Sequence, residues 1–529
     1  MIDGKIQPYA LTLDKFLDHA AKWSPDVEVV TARDTGRSDR IGYAGLRTRS
    51  LKISHVLSGL GVATGDRVAT LAWNSQSHVE AWYGIMGLGA VCLTLNPRLT
   101  EAQLAAMVIQ SEARILIASA DLAPLAQRVA SRVSAIGRVL LVDVTDAPAK
   151  AGGKPAVEAL EPLLADAPTD AIWGRFAETA ASGLCFTSGT TGAPKGVTYT
   201  HRSSYLHTLR LLQADVMRIS STDTILAAVP MFHANAWGLP FAAAAAGARL
   251  VLPGRHLDGA SLATLINTEA VTIAVGIGTV WLGVVEHLET HGGETPSLER
   301  IVVGGAPLAP ALMERIERRL GVIVQTSWGM TELSPLGTCA PPADPGRSAQ
   351  MSGRPAIGVD LQLADAAGQA LPEQRGVEGH LHVRGSAVID RYFGDPEPAT
   401  NADGWFNTGD LARIDADGNL IITGRAKDLI KSGGEWINPA EIEAVISAHP
   451  SVSLAAVIGR LDPKWGERPI LVVQFCAGQS VSDDDLLSAL RGRVAPWWIP
   501  DAIIRLDPIP LAPTGKIDKM RLRVDYGGC

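Results

Sequence analysis

Thr187-Ser188-Gly189-Thr190-Thr191-Gly192-Ala193-Pro194-Lys195-Gly196 is the stretch that decides how this chain is read. It holds three glycines, four hydroxyl side chains and one lysine. A short apolar run at 183–186 precedes it and reads as a buried strand. A helix-like segment at 201–212 follows it. Glycines let backbone N–H groups close around anionic oxygens. The hydroxyls add donors and Lys195 adds a positive charge. Strand, loop and helix in this order form a polyphosphate cradle. It is not a Walker loop, because no Gly-Lys-Ser/Thr closes it. A plain surface turn is the bland alternative, and the lysine and flanking elements argue against it.

Length and composition set the frame around that loop. A chain of 529 residues with 47% apolar residues exceeds one core, so two or more domains are expected. A formal charge of −8 argues against nucleic acid as a general partner, so a polyanion must use a local basic site. Cys92, Cys185, Cys339, Cys476 and Cys529 are scattered. That pattern fits a reducing cytosol and neither a disulfide framework nor a zinc site. The N-terminal segment lacks the apolar core of a signal peptide. The apolar stretch at 236–248 is too short to span a bilayer. The expectation is a cytoplasmic protein without integral membrane association.

Helix-like and strand-like pieces alternate from residue 40 onward. Strands are expected at 67–73, 91–96, 115–118, 139–142, 224–229, 249–252, 272–275 and 300–303. Repeated β-α units indicate parallel sheets covered by helices. From about 337 to 423 the pattern changes to short strands and Gly/Asp turns, which suggests a small β-barrel or sheet. After Gly424-Arg425 a helix at 439–448 and strands at 454–458 and 470–475 suggest a separate α+β unit. The expected class is α/β plus β. Residues 1–426 form a large N-terminal domain of two parallel α/β subdomains and the small β-barrel, and 427–529 form a small mobile C-terminal domain.

Six further segments carry chemistry. Trp328-Gly329-Met330-Thr331-Glu332 offers a flat aromatic face, a hydroxyl donor and a hard oxygen ligand suited to Mg²⁺. Gly304-Gly305-Ala306-Pro307 follows an apolar strand, and its small residues let a ring lie against the backbone. Asp410, in Thr408-Gly409-Asp410, can accept two sugar hydroxyls, with Arg425 beside it. Lys427, Lys431 and Gly433-Gly434-Glu435-Trp436 open the expected C-terminal domain. Lys516, in Pro513-Thr514-Gly515-Lys516-Ile517-Asp518-Lys519, is a compact charge on a terminal loop. Pro230-Met231-Phe232-His233-Ala234-Asn235-Ala236-Trp237 follows a strand and places a histidine near a bulky indole.

The decamer and these segments, in this order, resemble the adenylate-forming superfamily of acyl-CoA synthetases, luciferases and peptide-synthetase adenylation domains. The resemblance runs from about residue 10 to about 522. His233, Trp237, Trp328 and Glu435-Trp436 together look like the medium-chain fatty-acyl and 3-methylmercaptopropionate CoA ligases. The resemblance implies an ATP- and Mg²⁺-dependent acid–CoA ligase that forms an acyl-AMP. It implies catalytic roles for Lys516, Thr331, Glu332 and His233, and Mg²⁺ ligation by Glu332 and Thr190. Nucleotide or CoA binding falls to Thr187, Ser188, Gly189, Thr190, Thr191, Gly192, Lys195, Gly304, Gly305, Ala306 and Pro307. The same role extends to Trp328, Gly329, Met330, Thr331, Asp410, Ile422, Arg425, Lys431, Gly433, Gly434, Glu435 and Trp436. The acyl pocket is expected at His233, Trp237, Gly329 and Met330, and the hinge at Lys427.

Gly379-His380-Leu381 departs from the Gly-Glu-Leu of many relatives. The implied partners are a small carboxylic acid, ATP and CoA, and a homodimer is the one oligomer carried forward. A long-chain fatty-acyl ligase, a loader of a carrier protein, a luciferase-like oxygenase and a non-catalytic nucleotide sensor stay open as alternatives.

Overall fold

The computed structural model describes residues 4–34, 36–145, 155–187 and 194–528. Two large sheets dominate it. The seven-stranded sheet runs Ala156–Ala159, Arg138–Val142, Ile115–Ser119, Arg67–Leu71, Val91–Thr94, Ala181–Thr187, Lys195–Thr200. All its pairings are parallel except the last. The nine-stranded sheet has a parallel centre: Ile323–Gly329, Arg300–Val303, Ile273–Gly276, Thr224–Ala227, Arg249–Leu252 and Glu28–Ala32. Antiparallel strands Leu336–Cys339 and Arg354–Pro355 close one edge, and Ser38–Gly42 closes the other. Val, Ile and Leu fill the central strands because both faces are covered.

The largest core lies between these sheets. Val68, Cys92 and Ile117 from one sheet and Ile225, Leu250 and Val275 from the other share one buried cluster. Helices Gln76–Gly87 and Leu239–Ala246 contribute Trp82 and Phe241 to it, with ring centroids 5.7 Å apart. Every residue of Gln76–Gly87 after the first is buried, as a helix sandwiched between sheets requires.

The segment expected as a small barrel or sheet contains a four-stranded antiparallel sheet: Val359–Ala364, Glu378–Gly385, Phe406–Ile414 and Leu420–Arg425. Its pairing is that of an open sheet among the described residues. Further on, Val452–Asp462 and Gly466–Phe475 form a long hairpin. Ile430–Ser432, Glu435–Ile437 and Ala502–Arg505 extend it.

One local expectation is corrected. The Gly-rich loop does not lead straight into a helix. Ala181–Thr187 and Lys195–Thr200 are hairpin partners, with Thr187 opposite Lys195, and helix His201–Leu211 begins only afterwards. Val197 and Tyr199 are buried and alternate with Thr198 and Thr200, the half-buried strand pattern.

Candidate functional site

Lys516 arrives from the end of the chain. Its turn is closed by Ala512 N–H donating to the Lys516 carbonyl at 2.7 Å. Two distant side chains hold that turn: Thr279 Oγ1 donates to the Gly515 carbonyl at 3.3 Å, and Arg98 Nη1 to the Pro513 carbonyl at 3.2 Å. The lysine stem reaches the Gly304–Gly305 turn. A β-carbon built on Gly305 would stand 3.6 Å from Lys516 Cε. Desolvation, then the charges of Arg425 and Lys427, hold the Lys516 ammonium below its ordinary pKa, and Asp410 opposes them.

Asp410 is 2% exposed at the start of the Asp410–Arg425 pairing. Its Oδ1 accepts from Arg425 Nε at 2.7 Å and its Oδ2 from Trp328 Nε1 at 2.8 Å. Burial pushes this carboxyl up, while Arg425, Trp328 and Lys516 pull it back. Trp328 is itself buried, so the indole joins the nine-stranded sheet to the four-stranded one.

Glu332 lies in the short turn Thr331–Leu333, with half-buried Gly329 and Met330 just before it. Its Oε1 accepts from the Tyr392 hydroxyl at 2.9 Å. Burial raises its pKa, and Tyr392, Arg425 and Lys195 act against that rise. The Lys195 ammonium sits 4.6 Å from the centroid of the same Tyr392 ring. Tyr199 donates to the Thr331 carbonyl at 2.8 Å, which ties the strand after the Gly-rich loop to this turn. Neither Tyr392 nor Tyr199 was singled out from the sequence. A lone Tyr in Asp390-Arg391-Tyr392-Phe393 carries no spacing signal, and only the fold brings it 60 residues back.

His233 and Trp237 flank an unusual backbone. Ala234, Asn235, Ala236, Trp237 and Gly238 all have positive φ, between 44° and 76°. Left-handed conformation costs about 1–2 kcal/mol per non-Gly residue. Four such residues in a row persist only where surrounding packing over-determines them. Buried Asn235 provides part of that packing: Cys185 Sγ donates to its Oδ1 at 3.3 Å. The turn lays the Trp237 indole over the Gly304–Gly305 backbone. A β-carbon on Gly304 would lie 3.0 Å from Trp237 Cη2, so the close approach requires glycine there. Desolvation and the nearby Lys516 charge bring His233 down to about 4, so its ring is neutral near pH 7.

Gly304, Gly305, Trp237, His233, Trp328, Asp410, Arg425, Lys516 and Glu332 are therefore joined by a continuous chain of contacts and charge effects. Ala306 and Pro307 are exposed at its edge and Ile422 is half-buried. Thr187 Oγ1 donates to the Lys195 carbonyl at 3.4 Å. Ser188, Gly189, Thr190, Thr191 and Gly192 lie outside the described residues. Lys427, Lys431, Gly433, Gly434, Glu435 and Trp436 are exposed. Lys431 N–H donates to Glu467 Oε2 at 3.1 Å and Gly433 N–H to the Trp465 carbonyl at 2.7 Å, which pins this loop to the long hairpin, and Lys431 Nζ lies 5.6 Å from the Trp436 ring. Among the described residues, no group of three or more His, Cys, Asp or Glu side chains forms a metal cage.

Comparison with known proteins decides the family. The AMP-binding enzyme model matches residues 17–393, and the AMP-binding enzyme C-terminal domain model matches 441–516. The chain belongs to the AMP-binding enzyme family. Over 99% of its length it is 38% identical to the 3-methylmercaptopropionyl-CoA ligase of Ruegeria lacuscaerulensis, covering 98% of that protein. It is 39% identical to the medium-chain-fatty-acid–CoA ligase of Ectopseudomonas oleovorans, over 99% of this AMP-binding enzyme and 97% of the other. It is 38% identical to the long-chain-fatty-acid–CoA ligase of Thermus thermophilus, over 98% and 96%. The crystal structure of ATP-bound MatB from Rhodopseudomonas palustris superimposes with a TM-score of 0.85 at 26% identity, covering 98% of this chain and 99% of that one. The mixed α/β fold with parallel sheets expected from the sequence agrees with that match, and the expected AMP-forming acid–thiol ligase agrees with the three relatives.

Proposed function

We propose that this AMP-binding enzyme is an ATP-dependent acid–CoA ligase, converting a carboxylate, ATP and CoA to acyl-CoA, AMP and pyrophosphate. The observation that carries the reading is the seat of Lys516, against Gly305 and under the combined field of Asp410 and Arg425.

In the first half-reaction a carboxylate oxygen attacks the α-phosphorus of ATP. The new P–O bond forms as the bond to pyrophosphate breaks. Lys516 places a cation where the carboxylate and the α-phosphate meet, which stabilises charge on the transferring group. Thr331 donates to the same phosphate. Asp410 takes the ribose hydroxyls, with Arg425 steadying its carboxylate. The rest of the rate comes from holding both reactants in line. In the second half-reaction the CoA sulfur attacks the acyl carbon, the thiol proton passes to solvent, and AMP leaves as the acyl C–O bond breaks.

Glu332 fits Mg²⁺. It is a buried hard-oxygen donor whose charged form is disfavoured, and it makes no ion pair among the described residues. Glu332 would hold the ion together with Thr190, and the ion would neutralise phosphate charge.

Residues 1–426 would form the nucleotide- and acid-binding domain, and 427–529 a mobile domain. Rotation about Lys427 would withdraw Lys516 and bring Gly433, Gly434, Glu435 and Trp436 to the acyl group with CoA. The free buried thiols Cys92, Cys185 and Cys339 fit a cytoplasmic setting.

For the acid, His233 and Trp237 favour a short to medium chain, such as 3-methylmercaptopropionate. The indole limits pocket depth and the neutral imidazole faces the carboxylate. Pyrophosphate release with and without CoA tests this across acetate to dodecanoate, palmitate, cinnamate and 3-methylmercaptopropionate. Acid-dependent release that peaks at about four to eight chain atoms is expected. A peak at palmitate supports the long-chain reading favoured by the Thermus relative. No acid-dependent release with any member contradicts the ligase.

A further inference from the structure

Trp328 does more than present a flat face. It is the penultimate residue of strand Ile323–Gly329, where the pairing with Leu336–Cys339 shifts register between Trp328 and Gly329. Such an irregularity re-aims a side chain. Here it sends the indole N–H into Asp410 Oδ2 at 2.8 Å, across 82 residues of sequence. The ring is fixed as well as bonded. A β-carbon on Gly337 would lie 2.5 Å from Trp328 Cζ3, so only glycine leaves room for the indole in this position.

The two donors to Asp410 differ in kind. The Arg425 side chain is 43% exposed, whereas the whole of Trp328 is 8% exposed. The backbone of Asp410 is tied too, its N–H donating to Thr408 Oγ1 at 3.1 Å, and Thr408 donates on to the Leu381 carbonyl at 2.8 Å. The buried indole is thus the rigid constraint on how the carboxylate plane is turned. A carboxylate has about four lone-pair sites, so one donor on each oxygen leaves a further acceptor site on each.

We infer that Trp328 is a positioning residue for the nucleotide's sugar: its N–H turns Asp410 so that the remaining lone pairs face the ribose hydroxyls. This rests on the reading that Asp410 receives the ribose. It makes a separable claim, that the indole acts on the sugar through Asp410 besides any contact of its face with the base.

Equilibrium binding of AMP, 2′-deoxy-AMP, 3′-deoxy-AMP and IMP, measured by calorimetry, tests it without needing the acid. The comparison is between the parent, Trp328→Phe, and a variant carrying 3-(3-benzothienyl)alanine at 328. That residue keeps the bicyclic volume and lacks the N–H, so it covers the case in which Trp328→Phe fails to fold. The parent is expected to bind AMP more tightly than either deoxy nucleotide. Both variants are expected to weaken AMP by about tenfold, the loss of one hydrogen bond to a charged group. They are expected to weaken the deoxy nucleotides much less, so that the ribose preference shrinks towards unity while the AMP-to-IMP ratio stays as in the parent. Equal losses on AMP and both deoxy nucleotides would overturn the inference, as would a parent that does not distinguish them. Normal deoxy-nucleotide discrimination in both variants alongside intact adenylation would sink this inference and leave the ligase reading standing.

Discussion

The Tyr392 hydroxyl donates to Glu332 Oε1 at 2.9 Å while its ring lies 4.6 Å from the Lys195 ammonium. One side chain therefore touches both the carboxylate proposed for the metal and the lysine beside the Gly-rich loop. A hydrogen bond to a charged group contributes roughly 1.5–3 kcal/mol. Tyr392→Phe keeps the ring under Lys195 and removes the hydroxyl. The half-saturating Mg²⁺ concentration is expected to rise about tenfold or more, with little change in Tm. A Mg²⁺ titration at fixed ATP checks it, and an unchanged midpoint would separate Tyr392 from the metal.

The proposed acyl pocket is tested by chain length. Trp237 is 7% exposed, so Trp237→Ala opens a cavity and is expected to lower stability by about 3–5 kcal/mol. Ratios of kcat/KM within one variant cancel that loss. Over a C2–C12 series plus palmitate, Trp237→Ala is expected to shift the preference toward longer acids, each methylene changing discrimination by roughly 1–3 kcal/mol. His233→Ala is expected to reduce turnover for all acids with the length profile retained. Superimposable profiles for Trp237→Ala and the parent would remove the indole from the pocket wall.

The proposed hinge has a kinetic signature. The structure seats Lys516 beside Gly305 and leaves Gly433–Trp436 exposed, the arrangement that the proposed mechanism gives to the first half-reaction. Lys427→Pro fixes φ at the proposed pivot. Acyl-AMP formation should persist and the CoA step should fail, as read by single-turnover assays of each half. Normal overall turnover would exclude Lys427 as the pivot.

Stability should depend on pH through four buried histidines. Desolvation brings His78 and His233 down to about 4, and His201 and His207 to about 3. Above about pH 6.5 both folded and unfolded chains keep them neutral. Below it the unfolded chain takes up protons that the fold refuses, so stability falls as pH falls toward 4. The raised carboxyls Glu80, Glu332, Asp410 and Glu443 work in the opposite sense below their folded pKa values. The loss through the histidines develops from about pH 6.5 down to about 4, and Tm should drop over that range. A flat or rising Tm there would contradict the buried neutral histidines.

Much of this site was legible because its residues carry chemistry in local strings. Trp328 to Glu332, Gly304 to Pro307 and the turn at Lys516 each announce themselves by composition. The alternation of Val- and Ile-rich runs with helical segments likewise exposed the parallel sheets. What stayed hidden was non-local or unmarked. The Trp328–Asp410 and Tyr392–Glu332 bonds join residues 82 and 60 apart. Of the five left-handed residues Gly238 is a strong signal of positive φ and Asn235 a weak one, so Ala234, Ala236 and Trp237 read as ordinary backbone. Strand Lys195–Thr200 was absorbed into its neighbours, because six residues between a glycine-rich loop and a helix carry too few alternations to stand out. Nothing in the structure explains His380.

The central claim is that Lys516 serves adenylation and only adenylation. Lys516→Ala should be assayed in two separate half-reactions: pyrophosphate release from acid and ATP, and acyl-CoA formation from supplied acyl-AMP and CoA. The first is expected to fall by at least about 100-fold, the scale for removing a group that stabilises transition-state charge, with the second close to the parent rate. If both halves fall by the same factor, or the first is unchanged, the lysine does not have the role proposed for it.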